Sequence, residues 1–124
     1  MKIENYMSKH PITINSHQSL KYALDTMKEY EIRHLPVLES GKTCGVLSER
    51  DIRFLESVEK VDLEKLKVSD AYSDDLISVE EDSDIKEVCK LMLDDKIGSV
   101  VIHKKGQLTG IFTWIDALAY IAKL

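Results

Sequence analysis

Residues 34–51 read HLPVLESGKTCGVLSERD, and this stretch sets the pattern for the whole chain. An apolar run at 35–38 is followed by a polar turn around Gly41 and then by a second apolar run. The return comes too soon for a crossover helix, so the two runs are predicted to form an antiparallel hairpin. The stretch ends in a hydroxyl and a carboxylate, Ser48 and Asp51, three residues apart where a helix is predicted to begin.

The same pattern returns at residues 99–116, and the two halves of the chain align without a gap at an offset of 65 residues. The matches include turn glycines and the terminal pair: Gly41 with Gly106, Gly45 with Gly110, Ser48 with Thr113 and Asp51 with Asp116. Matched glycines are informative because such backbone positions tolerate few other residues. The sequence therefore predicts an internal duplication, with repeats at 1–60 and 61–124.

Each repeat is predicted to contain a strand, a helix, two hairpin strands and a second helix. The first strand is a β-branched run, at 12–14 in one copy and 77–79 in the other. An apolar stripe at helical spacing follows in each copy: Leu20, Ala23, Leu24 and Met27, then Ile85, Val88, Cys89 and Met92. Asp82 or Ser83 is the predicted N-cap of the second of these helices.

The final helices are predicted at 50–57 and 115–123, the latter with Ala117, Leu118 and Ile121 on its apolar side. A three-stranded sheet with helices on one face leaves its other face bare, and half of this chain is marginal for stability alone. The predicted fold is therefore α+β, with two pseudo-symmetric β-α-β-β-α repeats packed sheet to sheet in one compact unit. The charged stretch 56–70 is predicted to be a solvated connector with a short helical turn.

Composition excludes several classes of function. A net charge of −5 argues against a nucleic-acid binder, which needs clustered Lys and Arg. Cys44 and Cys89 are isolated, and the histidines share no ligand spacing, so no metal site is predicted. The chain has no apolar run long enough to cross a membrane and no secretion signal, which favours a cytoplasmic protein. It also has no phosphate-binding loop, dinucleotide fingerprint or catalytic triad, so it is not predicted to be an enzyme.

These residues resemble a tandem pair of CBS domains, the repeat named after cystathionine β-synthase. The motifs are IRHLPV at 32–37 with GVLSERD at 45–51, and IGSVVI at 97–102 with GIFTWID at 110–116. The resemblance spans residues 2–122. The second copy has Val101 where the first has Pro36, and Ile115 where the first has Arg50, which weakens phosphate binding on that side.

The resemblance implies a small stand-alone regulatory module that binds AMP, ADP, ATP or S-adenosylmethionine in clefts between the repeats and signals to a protein partner. It also implies a homodimer formed through helix faces. One implied site combines Thr113 and Asp116 with Met7, Ile12, Ile32, Arg33 and His34. The other combines Ser48, Arg50 and Asp51 with Tyr72, Ile77, Ile97, Gly98 and Ser99.

The chemistry of these residue types agrees with such a ligand. A carboxylate accepts both hydrogens of a ribose diol, and a hydroxyl beside helix N-terminal amides suits a phosphate oxygen. Arg50 adds a cation that makes forked contacts to phosphate. Gly98 lets a flat base approach the backbone.

Several of these residues also have a purely structural interpretation. The two aspartates suit the first turn of a helix, and the two hydroxyls suit an N-cap, a role that is compatible with ligand contact. Arg33 suits a surface ion pair, His34 suits the cover of a sheet edge, and Trp114 suits packing or an interface. The alternative function is a structural dimerisation module with vestigial ligand clefts.

Overall fold

The computed structural model describes residues 1–58, 60–74 and 76–124. Two compact units divide the chain: residues 12–76, here the 12–76 unit, and residues 77–124 joined by residues 1–11, here the 77–124 unit. The strands and helices are β1 (Ser8–Lys9), β2 (Ile14–Asn15), α1 (Leu20–Tyr30), β3 (His34–Glu39), β4 (Lys42–Ser48), α2 (Glu49–Val58), β5 (Ser78–Glu80), α3 (Ile85–Asp95), β6 (Ser99–Lys104), β7 (Gln107–Thr113) and α4 (Trp114–Ala122). The predicted α+β class and the β-α-β-β-α order of both repeats are confirmed.

The 12–76 unit contains a three-stranded sheet in the order β2-β3-β4. β2 is parallel to β3, and β3 and β4 form the predicted antiparallel hairpin. Its two-residue turn places Ser40 and Gly41 at φ values of 51° and 78°. Positive φ at both positions is what a tight turn needs to match the twist of the flanking strands.

The 77–124 unit repeats this hairpin with Lys105 and Gly106 at φ values of 51° and 78°. Its sheet has four strands in the order β1-β7-β6-β5, because β1 adds an outer strand antiparallel to β7. That strand was not predicted, since two exposed polar residues give no alternation of apolar and polar side chains. The 12–76 unit has a bridge at the equivalent position, where Ser73 pairs with Val46.

Both apolar stripes face the core of their own unit, as predicted. The buried members are Leu20, Ala23 and Met27 in α1 and Ile85, Val88 and Met92 in α3. These stripes pack on the central strands, where Leu35, Val37, Val100 and Ile102 are buried. Burial of such side chains contributes about 1.5–3 kcal/mol each, so the packing of helix on sheet stabilises each unit.

The N-cap of α3 is Asp84, so the prediction of Asp82 or Ser83 was wrong. Asp84 lies 65 residues after Ser19, the N-cap of α1, and accepts a hydrogen bond from the Glu87 N–H as Ser19 does from Tyr22. The Met1 ammonium also lies 3.1 Å from the Asp84 carboxylate. Its hydrogen bond, together with the backbone N–H of Glu87, lowers the pKa of Asp84.

Element ends differ by one or two residues from the predictions. The first strand of each repeat begins later than predicted, at Ile14 and Ser78, and the last helices begin one residue earlier, at Glu49 and Trp114. These helices begin earlier than predicted because reciprocal side-chain hydrogen bonds, described below, cap each helix at the residue before its first turn. Such shifts leave the repeat order intact.

The connector anchors α1 through its few apolar residues. The Leu66 and Leu63 carbonyls accept hydrogen bonds from the first N–H groups of α1, at 2.8 and 3.0 Å, and so satisfy donors that a helix start leaves open. The predicted helical turn is confirmed as a 3-10 helix at Val68–Asp70, with Val68 fully buried. Glu59 lies outside the described residues.

Ser16→Ala is expected to leave the free energy of unfolding unchanged or to raise it by up to about 1 kcal/mol. Ser16 is only 1% exposed, and its Oγ has no hydrogen-bond partner among the described residues. An unpaired buried hydroxyl destabilises a fold, so its removal relieves that penalty. Urea unfolding measures the change. The control is Ser19→Ala, which removes a working N-cap and is expected to lose about 1 kcal/mol; an equal loss for both variants would contradict the prediction.

Candidate functional site

One end of the 12–76 sheet brings together several predicted site residues. His34 opens β3 and lies opposite Ser48, the last residue of β4. The Arg33 carbonyl accepts a hydrogen bond from the Glu49 N–H at 2.9 Å, which ties the start of β3 to the start of α2. Arg33, His34 and Ser48 are therefore neighbours at the N-terminus of α2.

Ser48 and Asp51 form a reciprocal capping box at that helix start. The Asp51 N–H donates to Ser48 Oγ at 3.1 Å, and the Ser48 N–H donates to Asp51 Oδ2 at 3.4 Å. Each side chain thus satisfies a donor that the helix start would otherwise leave open. The box also holds the hydroxyl and the carboxylate side by side, so the capping role and a ligand-binding role use the same geometry.

The 77–124 unit repeats this arrangement at α4. The Thr113 N–H donates to Asp116 Oδ2 at 2.9 Å, and the Thr113 hydroxyl lies 3.4 Å from the same oxygen. Ser99 lies opposite Thr113 across the hairpin, and the Gly98 carbonyl accepts the Trp114 N–H at 3.1 Å. The duplication therefore gives two helix starts with the same pairing of hydroxyl and carboxylate.

Tyr72 and Met7 occupy equivalent places on the two sheets. The Tyr72 ring lies over Gly45, where an added Cβ would overlap both the ring and the Ser73 carbonyl oxygen. Met7 lies over Gly110 in the same way. The sequence analysis matched these two glycines between the repeats but did not predict that they leave room for the side chains of two candidate site residues.

The surroundings of Tyr72 keep its hydroxyl protonated. A hydrogen bond with Cys44 raises the pKa of the Tyr72 phenol, and the nearby carboxylates of Glu39 and Asp74 act in the same direction. Tyr72 therefore offers an aromatic face and a neutral donor at physiological pH. Both groups are useful for holding a heterocyclic base.

The two helix starts differ in charge. Arg33, His34 and Arg50 belong to the 12–76 unit, and the equivalent positions of the 77–124 unit are the uncharged Gly98, Ser99 and Ile115. Arg33 and Arg50 are exposed and His34 is half-buried. Only the 12–76 helix start therefore combines its capping box with cationic side chains at these positions, a combination that attracts a phosphate.

Each unit holds part of both predicted sites. The 12–76 unit contains Ile12, Ile32, Arg33, His34, Ser48, Arg50, Asp51 and Tyr72, and the 77–124 unit contains Met7, Ile77, Ile97, Gly98, Ser99, Thr113 and Asp116. The isoleucines pack against the core of their own unit. The combination of these residues into two mixed sites stays a prediction.

The described residues hold neither a metal-binding cluster nor a membrane-spanning helix. Among them, no group of three or more His, Cys, Asp or Glu side chains is arranged to hold a metal ion. None of the helices in residues 1–58, 60–74 and 76–124 has the length and apolar character that crossing a membrane requires.

Comparison with known proteins identifies both repeats. The CBS domain model matches residues 3–57 and 68–123. A CBS domain-containing protein of Dictyostelium discoideum is 33% identical, over 98% of this chain and 92% of its own length. Inosine-5′-monophosphate dehydrogenase of Methanocaldococcus jannaschii is 27% identical over 94% of this chain, but the match spans only 23% of that enzyme.

A solved structure shows the same fold. The CBS domain pair of protein MJ0100, in complex with 5′-methylthioadenosine and S-adenosyl-L-methionine, superposes with a TM-score of 0.88 and 23% identity. The superposition covers 99% of this chain and 97% of that one. The β-α-β-β-α repeats described above thus occur together in a protein of known structure.

Proposed function

Because the chain belongs to the CBS domain family, we propose that it is a non-catalytic regulatory module that binds an adenosyl ligand with residues from both repeats and signals its occupancy to a partner. The observation that carries this proposal is the capping box found twice, Ser48 with Asp51 and Thr113 with Asp116. A helix start needs only a cap, but both copies place a carboxylate where it also suits a ribose diol.

The ribose contact follows from the chemistry of the carboxylate. In each box the backbone N–H uses Oδ2 of the aspartate. A carboxylate has about four acceptor directions, so it accommodates two ribose hydroxyl donors in addition to the cap. Hydrogen bonds to a charged acceptor are worth about 1.5–3 kcal/mol, enough to make each aspartate a principal contact for the ligand.

The cations Arg33 and Arg50 of the 12–76 unit favour a phosphorylated ligand. They lie with His34 near the start of α2, where the positive end of the helix dipole also attracts anions. AMP, ADP and ATP carry such a group. S-adenosylmethionine is the alternative ligand, supported by the complex of the MJ0100 domain pair.

The partners and the location of the protein in the cell are proposed separately from the ligand. The match to inosine-5′-monophosphate dehydrogenase lies within 23% of that enzyme's length, so its activity is not assigned to this chain. We propose a homodimer formed through helix faces and a protein partner of unknown identity. A cytoplasmic location stays a prediction from the sequence.

Isothermal titration calorimetry with AMP, ADP, ATP and S-adenosylmethionine tests the proposal. We expect saturable heat for at least one of them and a rise in melting temperature with ligand concentration. A ligand present at 100 times its dissociation constant stabilises the folded state by about 2.7 kcal/mol, which a thermal shift assay detects easily. If none of the four gives heat or a thermal shift at millimolar concentration, the regulatory function is wrong.

A structural dimerisation module with vestigial clefts is the second candidate. The observation in its favour is that α4 exposes several large apolar side chains. In that case the aspartates serve only as helix caps. Light scattering and the thermal shift assay, each with and without nucleotide, separate the two functions, because a vestigial cleft predicts the same mass and the same melting temperature in both samples.

A further inference from the structure

The hairpin of each unit carries one extra residue in its second strand. In β4 the residues on either side of Cys44 are partners of two consecutive residues of β3, so Cys44 has no partner of its own in the ladder. The hairpin of β6 and β7 has the same irregularity at Thr109, which lies 65 residues later. Such a β-bulge breaks the alternation of side chains along the strand and redirects the extra one, and bulges are common beside functional sites.

Both bulged side chains donate a hydrogen bond to the same carbonyl of their own hairpin. Cys44 Sγ donates to the Val37 carbonyl at 3.5 Å, and Thr109 Oγ1 donates to the Ile102 carbonyl at 3.4 Å. These two carbonyls are themselves equivalent by the duplication. The hydrogen of each side chain is therefore in use, while its sulfur or oxygen stays able to accept a bond from another donor.

The two repeats differ in the side chain that lies beside the bulge. In the 12–76 unit this is Tyr72, and its hydrogen bond with Cys44 is the largest cause of the raised pKa of the phenol. A bond that raises this pKa favours the protonated phenol, so the phenol donates and the sulfur accepts. Met7, at the equivalent place of the 77–124 unit, has no donor to offer. The relay from Tyr72 through Cys44 to the Val37 carbonyl therefore belongs to the 12–76 unit.

Other contacts fix the backbone of Tyr72 but not the outer end of its ring. The Tyr72 N–H donates to the Val68 carbonyl at 3.0 Å, and the next residue, Ser73, exchanges two backbone hydrogen bonds with β4. The ring itself lies over Gly45, which has no side chain to restrain it. The bond with Cys44 is thus the polar contact that holds the hydroxyl end.

We propose that Cys44 is a positioning residue for the adenosyl ligand: by holding the Tyr72 hydroxyl it keeps the ring in the orientation that a heterocyclic base requires. This inference rests on the proposed function, because Tyr72 belongs to one of the two predicted sites. Without the bond the ring spends part of its time in other orientations, and the apparent affinity falls with the fraction that stays competent to bind. The loss of one ordinary hydrogen bond corresponds to about a 2–10-fold change.

Two substitutions of nearly the same shape separate the hydrogen bond from packing. Cys44→Thr introduces the residue of the other repeat, whose hydroxyl donates and accepts, and Cys44→Val has neither function. Titration calorimetry with AMP, ADP, ATP and S-adenosylmethionine measures the dissociation constant of the binding step that Tyr72→Phe weakens. We expect Cys44→Val to raise this constant by about 2–10-fold, and Cys44→Thr to keep it close to that of the wild type. Thr109→Val makes the same chemical change in the other repeat and is expected to leave the constant unchanged.

Titration of the phenol is a second readout, which needs no ligand and which a purely structural role of Cys44 would not change. Nuclear magnetic resonance with tyrosine carrying carbon-13 at Cζ follows all five tyrosines, and Tyr72→Phe identifies the signal of Tyr72. We expect Cys44→Val to lower the pKa of the Tyr72 phenol towards its ordinary value, since only the weaker effects such as those of Glu39 and Asp74 remain. Thr109→Val is expected to leave this pKa as it is.

Positioning and the ligand function fail separately. Wild-type affinity in Cys44→Val or in Tyr72→Phe would overturn the proposal, as would equal losses in Cys44→Val and Cys44→Thr. A lowered phenol pKa together with unchanged affinity would show that Cys44 holds a ring that the ligand does not use, which also overturns it. A wild-type chain that binds none of the four probes would refute the ligand function and reduce Cys44 to a structural contact, which the phenol titration would still detect.

Discussion

Gly45→Ala is expected to lower the free energy of unfolding by about 3 kcal/mol, the upper part of the usual range for overpacking a filled site. The added Cβ would overlap the Ser73 carbonyl oxygen and the Tyr72 ring. Ser73 cannot move aside cheaply, because it exchanges two backbone hydrogen bonds with Val46, at 3.0 and 3.1 Å. The substitution therefore forces either a broken bridge or a bend in β4.

Two control substitutions, at Gly110 and Gly41, separate this clash from the general effect of replacing a glycine. Gly110→Ala is the equivalent change in the other repeat, but there the three atoms nearest to the added Cβ all belong to the Met7 side chain. Met7 is flexible, so we expect a loss of about 1 kcal/mol or less. Gly41→Ala meets no atom within 4 Å but forces alanine to a φ of 78°, which costs about 1–2 kcal/mol.

Urea unfolding of the three variants measures these losses under the same conditions. The expected order of destabilisation is Gly45→Ala, then Gly41→Ala, then Gly110→Ala. Equal losses at Gly45 and Gly110 would show that the Ser73 carbonyl yields as easily as a methionine side chain. In that case the bridge between Ser73 and Val46 does not hold the segment around Ser73 firmly against β4.

The hairpins and the apolar stripes were predictable because each rests on local chemistry that occurs twice. Gly41 and Gly106 mark turns that need positive φ, and the stripe from Leu20 to Met27 has a helical period. Because each pattern occurs in both repeats, one copy supported the interpretation of the other. Local propensity and long-range repetition agreed, which is why the repeat order was recovered from the sequence.

Other features depend on contacts that no local pattern encodes. β1 is two polar residues long and exists only because β7 offers a free edge to pair with. The N-cap of α3 is Asp84, whose carboxylate is reached by both the Met1 ammonium and the Glu87 N–H. The sequence alone favoured its neighbours Asp82 and Ser83, because it does not show those two contacts. Leu118 is 51% exposed because Ala117 and Tyr120 are the α4 residues that pack against the core, and the sequence pattern does not show this choice of side.

The candidate site was predictable in part for the same reason. The pairs Ser48 with Asp51 and Thr113 with Asp116 are local motifs, and the structure confirms that each pair is joined at a helix start. Their use for a ligand is a different claim, because a capping box alone stabilises a helix. Substitutions that keep the cap and remove the charge separate the two roles.

Asp51→Asn and Asp116→Asn are each expected to weaken adenosyl ligand binding, at the predicted site that contains the substituted residue, by about 10–150-fold, the equivalent of losing hydrogen bonds worth about 1.5–3 kcal/mol to a charged acceptor. Asparagine keeps an oxygen that can accept the N–H of Ser48 or Thr113, so the capping box survives. It lacks the second acceptor oxygen and the negative charge that a ribose diol requires. Titration calorimetry with the ligand that gives the strongest heat for the wild type measures the loss.

Asp84→Asn is the matched control, because Asp84 also caps a helix but belongs to neither predicted site. It is expected to bind the ligand as the wild type does, while its melting temperature reports the effect of altering a cap. Equal weakening in all three variants would mean that binding follows helix capping in general. Wild-type affinity in both Asp51→Asn and Asp116→Asn would instead reduce the two boxes to caps, since no other acid in either predicted site can replace them as acceptors for the ribose.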